Sequence, residues 1–115
     1  MLLLELYQEG DDDSFTFDEK DYNINKIFQA TEDAETIQIK VDDLKWILKY
    51  DDADPKRVKE ADLDAPILVT KWRKKWAAVD GLHRLTKAVE DGVDALPAKV
   101  VTKAMLKDAL IKDKA

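Results

Sequence analysis

A chain of 115 residues with no cysteine fits one domain around one core, and it excludes disulfides, thiolate metal sites and a cysteine nucleophile. A single histidine rules out a multi-histidine metal centre within one chain. The net charge of −6 hides an asymmetry, because residues 1–66 hold 8 Lys/Arg against 19 Asp/Glu while residues 67–115 hold 11 against 6. The acidic total argues against coating duplex DNA, which needs clustered positive charge. The basic second half suits a small polyanion.

In chain order, MLLLELYQ is too short and lacks the basic flank of a signal peptide. No apolar run approaches the roughly 20 residues of a membrane span, so a soluble cytosolic domain is expected. Residues 2–7 read as a first strand or a short helix, and GDDDS at 10–14 as a solvated turn without the spacing of a calcium loop. Ile24, Ile27 and Phe28 make one apolar stripe of a helix over 22–30. TIQIKV at 36–41 alternates and reads as a half-buried strand. Residues 42–50 carry helical spacing at Leu44, Ile47 and Leu48, with Asp42 or Asp43 as candidate caps. Pro55 suits the first turn of a short helix running to about Ala61.

ILVTKW and WAAVD read as two strands of a hairpin with RKK at its tip, and within-strand period would put Trp72, Lys74 and Trp76 on one face. Basic residues among aromatic ones also suit a nucleic-acid surface. The second strand feeds a helix over GLHRLTKAVED, with Asp80 as N-cap, a buried stripe of Leu82, Leu85, Ala88 and Val89, and Gly92 as its left-handed terminator. Pro97 opens a last strand, and Thr102 caps a final helix reaching the C-terminus, with Met105 or Leu106 and Ala109 or Leu110 inward. The fold class is α+β, a small mixed sheet with a β-hairpin and flanking helices.

The sole histidine and an arginine therefore stand where a helix begins. The first N–H groups of a helix have no internal partners, and the helix dipole leaves partial positive charge there. Gly81 lets an anion come close to the main chain, Arg84 adds a forked donor, and His83 adds a donor or a proton carrier. Asp80 can orient these side chains, hold a Mg²⁺, or simply cap. Read from the residues alone, an anion cradle and a plain structural cap both stand.

DGLHR followed by LTKAVEDG, with PILV upstream and LPAKVV downstream, resembles the ParB/sulfiredoxin superfamily, and more narrowly its stand-alone ParB-like domains of phage and bacterial genomes. The resemblance covers roughly residues 36–106, with 1–35 as a lead-in and 107–115 as the end of the last helix, all in one domain. In that superfamily a strand ends in an arginine motif such as G-x-H-R, and backbone and arginine hold nucleotide phosphates. The resemblance implies that Gly81, His83 and Arg84 fall on the phosphate motif and that Asp80 matches the aspartate of its kinase-like version, while Leu82 replaces a histidine there. It places the DPKRVKEADLDAP segment near the nucleotide edge, making Arg57 a second phosphate contact and Glu60 or Asp62 the candidate base. Sulfiredoxin's own reaction is excluded with the missing cysteine, and a site-specific partition protein is not expected because no helix-turn-helix follows. The implied ligand is ATP or another nucleotide, with or without Mg²⁺, in a phosphotransferase or nucleotide hydrolase. The alternatives are a non-catalytic accessory protein that binds a host protein or nucleic acid, and a ParB-like nuclease.

Overall fold

The computed structural model describes residues 4–6, 14–50 and 52–113. The GDDDS turn lies outside the described residues except for Ser14, which opens a strand. Three strands precede the first helix: β1 (Leu4–Leu6), β2 (Ser14–Phe17) and β3 (Lys20–Asn23). The lead-in is thus a meander rather than a helix alone, each strand antiparallel to the next. Asp18 and Glu19 turn the β2–β3 hairpin at φ 50° and 62°.

Asn23 caps α1 (Ile24–Thr31) by accepting from the Lys26 N–H. Ile24 and Ile27 face inward as the spacing predicts, but Phe28 is 45% exposed. The buried line of α1 passes through Thr31 instead, whose hydroxyl is satisfied by the Ile27 carbonyl at 2.8 Å. Strand β4 (Ile37–Lys40) leads into two 3-10 turns, Val41–Asp43 and Lys45–Lys49, and neither Asp42 nor Asp43 caps them. Leu44 and Ile47 nonetheless bury completely. Asp54 and Pro55 start α2 (Pro55–Glu60) by side-chain cap and fixed φ together.

The hairpin of β5 (Ile67–Trp72) and β6 (Lys75–Asp80) turns on Arg73 and Lys74, both at positive φ. Two central residues with φ > 0 are the signature of a type I′ turn. Lys71 pairs with Trp76 and Trp72 with Lys75, so Trp72 and Trp76 lie on opposite faces. The period-two rule holds within a strand and fails across the turn, and this corrects the shared face expected for them. Next come α3 (Leu82–Glu90), β7 (Ala95–Val100), α4 (Lys103–Ala109) and β8 (Leu110–Asp113). Pro97 lies inside β7 rather than at its start. It faces Gln38 of β4, and the parallel pairing with β5 begins only at Ala98, so its missing N–H costs the ladder little.

Thr102 caps α4 as expected. The helical ending expected for 107–115 holds through Ala109; the chain then leaves the helix at Leu110 and pairs with β3 over 110–113. Among the described residues the strands form two four-stranded sheets, ordered β1-β2-β3-β8 and β4-β7-β5-β6. The second is mixed, since β5 runs parallel to β7 and antiparallel to β6. The molecule is α+β, as its sequence implies. One apolar cluster joins both sheets, drawing on Phe17 and Tyr22 from the first and on Ile67, Val69 and Val79 from the second, with Leu85 and Ala88 from α3. Burying an Ile or Leu such as Ile67 or Leu85 contributes about 2 kcal/mol each. No helix among the described residues is long and apolar enough to cross a membrane.

Candidate functional site

The hand-over from β6 to α3 is made by Gly81, at φ 131°. A Cβ added there would meet Ile67 Cγ2 at 2.5 Å and Ile67 Cβ at 2.7 Å. Ile67 is fully buried and cannot give way. Gly81 therefore has a reason to be glycine that is independent of any ligand: the first residue of β5 rests against it. Gly81, not Asp80, is the N-cap of α3, and no side chain caps this helix. Asp80 is still in the strand, paired with Leu68. The early N–H groups of α3 thus keep the unmet donor capacity expected of an uncapped helix start.

Three side chains gather at this start. The Arg84 Nη1 donates to the Pro66 carbonyl at 3.2 Å, and no ion pair claims the guanidinium among the described residues. His83 accepts at Nε2 from the Asp54 N–H, at 3.3 Å. Arg57, on the exposed side of α2, comes close enough to act electrostatically on both Asp80 and His83. Leu82 packs against the core, so only its backbone is available to a ligand.

Helices α2 and α3 lie side by side in the same sense. The Asp54 amide meets His83 at one end, and at the other Lys87 Nζ donates to the carbonyls of Lys59 and Ala61, at 3.1 and 2.8 Å. Arg57 is thereby brought towards the start of α3, together with Asp80, His83 and Arg84. Glu60 is not. It ends α2, about 9 Å along the helix from Asp54 at 1.5 Å per residue, and is exposed. Asp62 follows it and spends its Oδ1 on the Asp64 N–H at 2.9 Å.

Burial pushes the Asp80 carboxyl above its ordinary range, against the pull of Arg84, Arg57 and His83. His83 is pushed the other way, by burial first and Arg57 next, against Asp54 and Asp80. A neutral imidazole that accepts at Nε2 carries its proton on Nδ1, where it is a donor. The residue that sequence reasoning missed is Asp54. Its Asp-Pro cap pattern was visible, but not that its amide would meet a histidine 29 positions away. Among the described residues no three His, Asp or Glu side chains cluster as metal ligands.

No family model matches the chain, and no curated protein matches it in sequence. Solved structures do. A crystal structure of sulfiredoxin from Arabidopsis thaliana matches with 19% identity over 64% of this chain and 94% of that one, at a TM-score of 0.49. SbnI with a C-terminal truncation, from Staphylococcus aureus, matches with 24% identity over 64% of this chain, at a TM-score of 0.48. The likeness is one of fold. The chain spans 33% of that SbnI, and neither match assigns a ligand or a reaction here.

Proposed function

We propose that the chain is a nucleotide-binding domain of ParB/sulfiredoxin type that holds phosphate, ATP first, at the start of α3. One observation carries this reading: a helix start without a side-chain cap carries His83 and Arg84 on its first turn and has Arg57 of α2 brought towards it. The residues fit a phosphate group. Backbone N–H groups at a helix N-terminus and a guanidinium fork are the donors phosphate oxygens prefer. A Mg²⁺ would find one protein carboxylate, Asp80, and take its other oxygens from phosphate and water, as this ion usually does.

Phosphoryl transfer or hydrolysis adds the need for a carboxylate beside the phosphate. Asp80 stands there, whereas Glu60 and Asp62 stand a helix length away and serve only a substrate reaching along the α2–α3 seam. Isothermal titration with ATP, CTP and their Mg²⁺ complexes tests nucleotide binding. Binding is expected to weaken by about tenfold or more in Arg84→Ala, in line with loss of a charge-assisted donor pair. Arg84→Lys, which keeps the charge without the fork, should fall between. No heat with either nucleotide, or equal affinity in all three proteins, would refute phosphate binding at this place.

A further inference from the structure

The KWRKKW hairpin takes no part in the phosphate site, and its geometry is unusual for a tip that only needs to be soluble. The Trp72 and Trp46 rings stack, with centroids 6.0 Å apart and planes 13° from parallel. Arg73 lays its guanidinium over Trp72 at 4.5 Å, Lys75 sets its ammonium 5.2 Å from the Trp46 centroid, and Tyr50 meets Trp46 edge-on at 6.2 Å. On the other face Lys71 lies over Trp76 at 4.2 Å. The Trp46 Nε1 donates to the Trp76 carbonyl at 2.9 Å, tying the stack to the hairpin. Cations resting on aromatic faces are held in place rather than swinging in water.

Two features here work against stability. Arg73 and Lys74 occupy left-handed backbone positions that Asn-Gly would fill without strain. The Trp72 Nε1 is buried with no hydrogen-bond partner among the described residues, and such donors are rare in native folds. Arg73, Lys74 and Lys75 remain exposed, as does Tyr50 at 52%. The surface thus combines fixed positive charge with stacked planar groups.

We propose that this hairpin tip, with the tryptophan stack behind it, is a binding surface for single-stranded nucleic acid. Lysines and arginine neutralise phosphates, while the Arg73 guanidinium plane and the exposed Tyr50 ring stack on bases. An acidic peptide would use the charge but not the planar array. The neighbouring β2–β3 tip bears Asp18 and Glu19 and touches the stack through Phe17, 6.5 Å from Trp72. Negative charge beside the stack disfavours the further phosphates that the second strand of a duplex would bring.

All three tryptophans of the chain belong to this cluster, so their fluorescence reports on it directly. The full chain is titrated with a single-stranded oligodeoxythymidylate at several salt concentrations. The expected result is quenching, with log affinity falling against log salt at a slope of about −2, the value for three phosphates on a single strand. Arg73→Ala/Lys75→Ala should reduce the slope to below about −1 in size and weaken binding by about tenfold or more. Lys74→Glu, at an exposed turn position, should weaken it without touching the core. Arg84→Ala should leave it unchanged, which separates this surface from the phosphate site. No quenching at low salt, or wild-type affinity in both hairpin variants, overturns the proposal. So does equal competition by poly-L-glutamate, which would assign the surface to acidic proteins.

Discussion

Asp80 is the residue whose chemistry depends most on where the fold puts it. At the end of β6 its carboxyl loses water, and Arg84, Arg57 and His83 recover only part of that loss. Its pKa is therefore higher folded than unfolded, so the folded state holds this proton more tightly. The stability it contributes is complete below the ordinary value of 3.8 and is lost as pH rises through the folded value. Asp80→Asn, which mimics the protonated form, should raise the melting temperature at neutral pH, and the gain should vanish in acid below that ordinary value. A variant less stable than the parent at neutral pH, or a difference that ignores pH, would contradict this reading. His83 has the opposite sign: its pKa is lowered, so its contribution is present above 6.5 and lost as pH falls through the folded value. The hydrogen bond donated by the Asp54 N–H goes with it, because a protonated Nε2 cannot accept.

At the scale of elements, lysines do structural work that charge counts conceal. Lys87 closes the C-terminal end of α2, and Lys99 does the same for α1 by donating to the carbonyls of Thr31 and Glu32 at 3.0 and 2.9 Å. Each places positive charge where a helix dipole is negative and carbonyls lack partners. The β5–β6 turn instead carries charge against backbone preference. Lys74→Gly should therefore stabilise the fold, by about 0.5–1 kcal/mol, since glycine accepts positive φ without a steric penalty. Urea unfolding measures this, and a lower midpoint at unchanged slope would contradict it. The turn also explains a misreading. With Arg-Lys at its centre the hairpin shows no Asn-Gly signal, so its tip was legible only from the flanking apolar runs, and the facing of Trp72 and Trp76 was not legible at all. The β2–β3 hairpin went unread for the same reason, because Asp18 and Glu19 look like solvated charge rather than a tight turn.

Across the whole molecule, periodicity delivered the α-helices and the second sheet, but of the first sheet only β1, as one of two alternatives. Ile24 with Ile27, Leu85 with Ala88, and Thr102 as a cap were all visible in the chain and lie where their spacing put them. Strand β8 was not. Leu110 and Ile111 continue the apolar run of α4, and only pairing with β3 extends them. Val89, on the expected inner stripe of α3, is 41% exposed, because partners exist for Leu85 and Ala88 but not for the flank beside them. At the site, the DGLHR stretch marked the residues that converge, while the α2–α3 seam that delivers Arg57 and separates off Glu60 is tertiary information. The same division of charge that makes the first half acidic leaves positive groups at both the start of α3 and the hairpin tip.

A titration of uniformly ¹⁵N-labelled protein with ATP, followed through backbone amide shifts, tests the central assignment most directly. The largest changes should fall on the amides of Leu82, His83 and Arg84, with smaller ones at Arg57, and the tryptophan indole signals should stay in place. Shifts that leave residues 82–84 untouched, whether absent altogether or gathered on the hairpin tip, would contradict it.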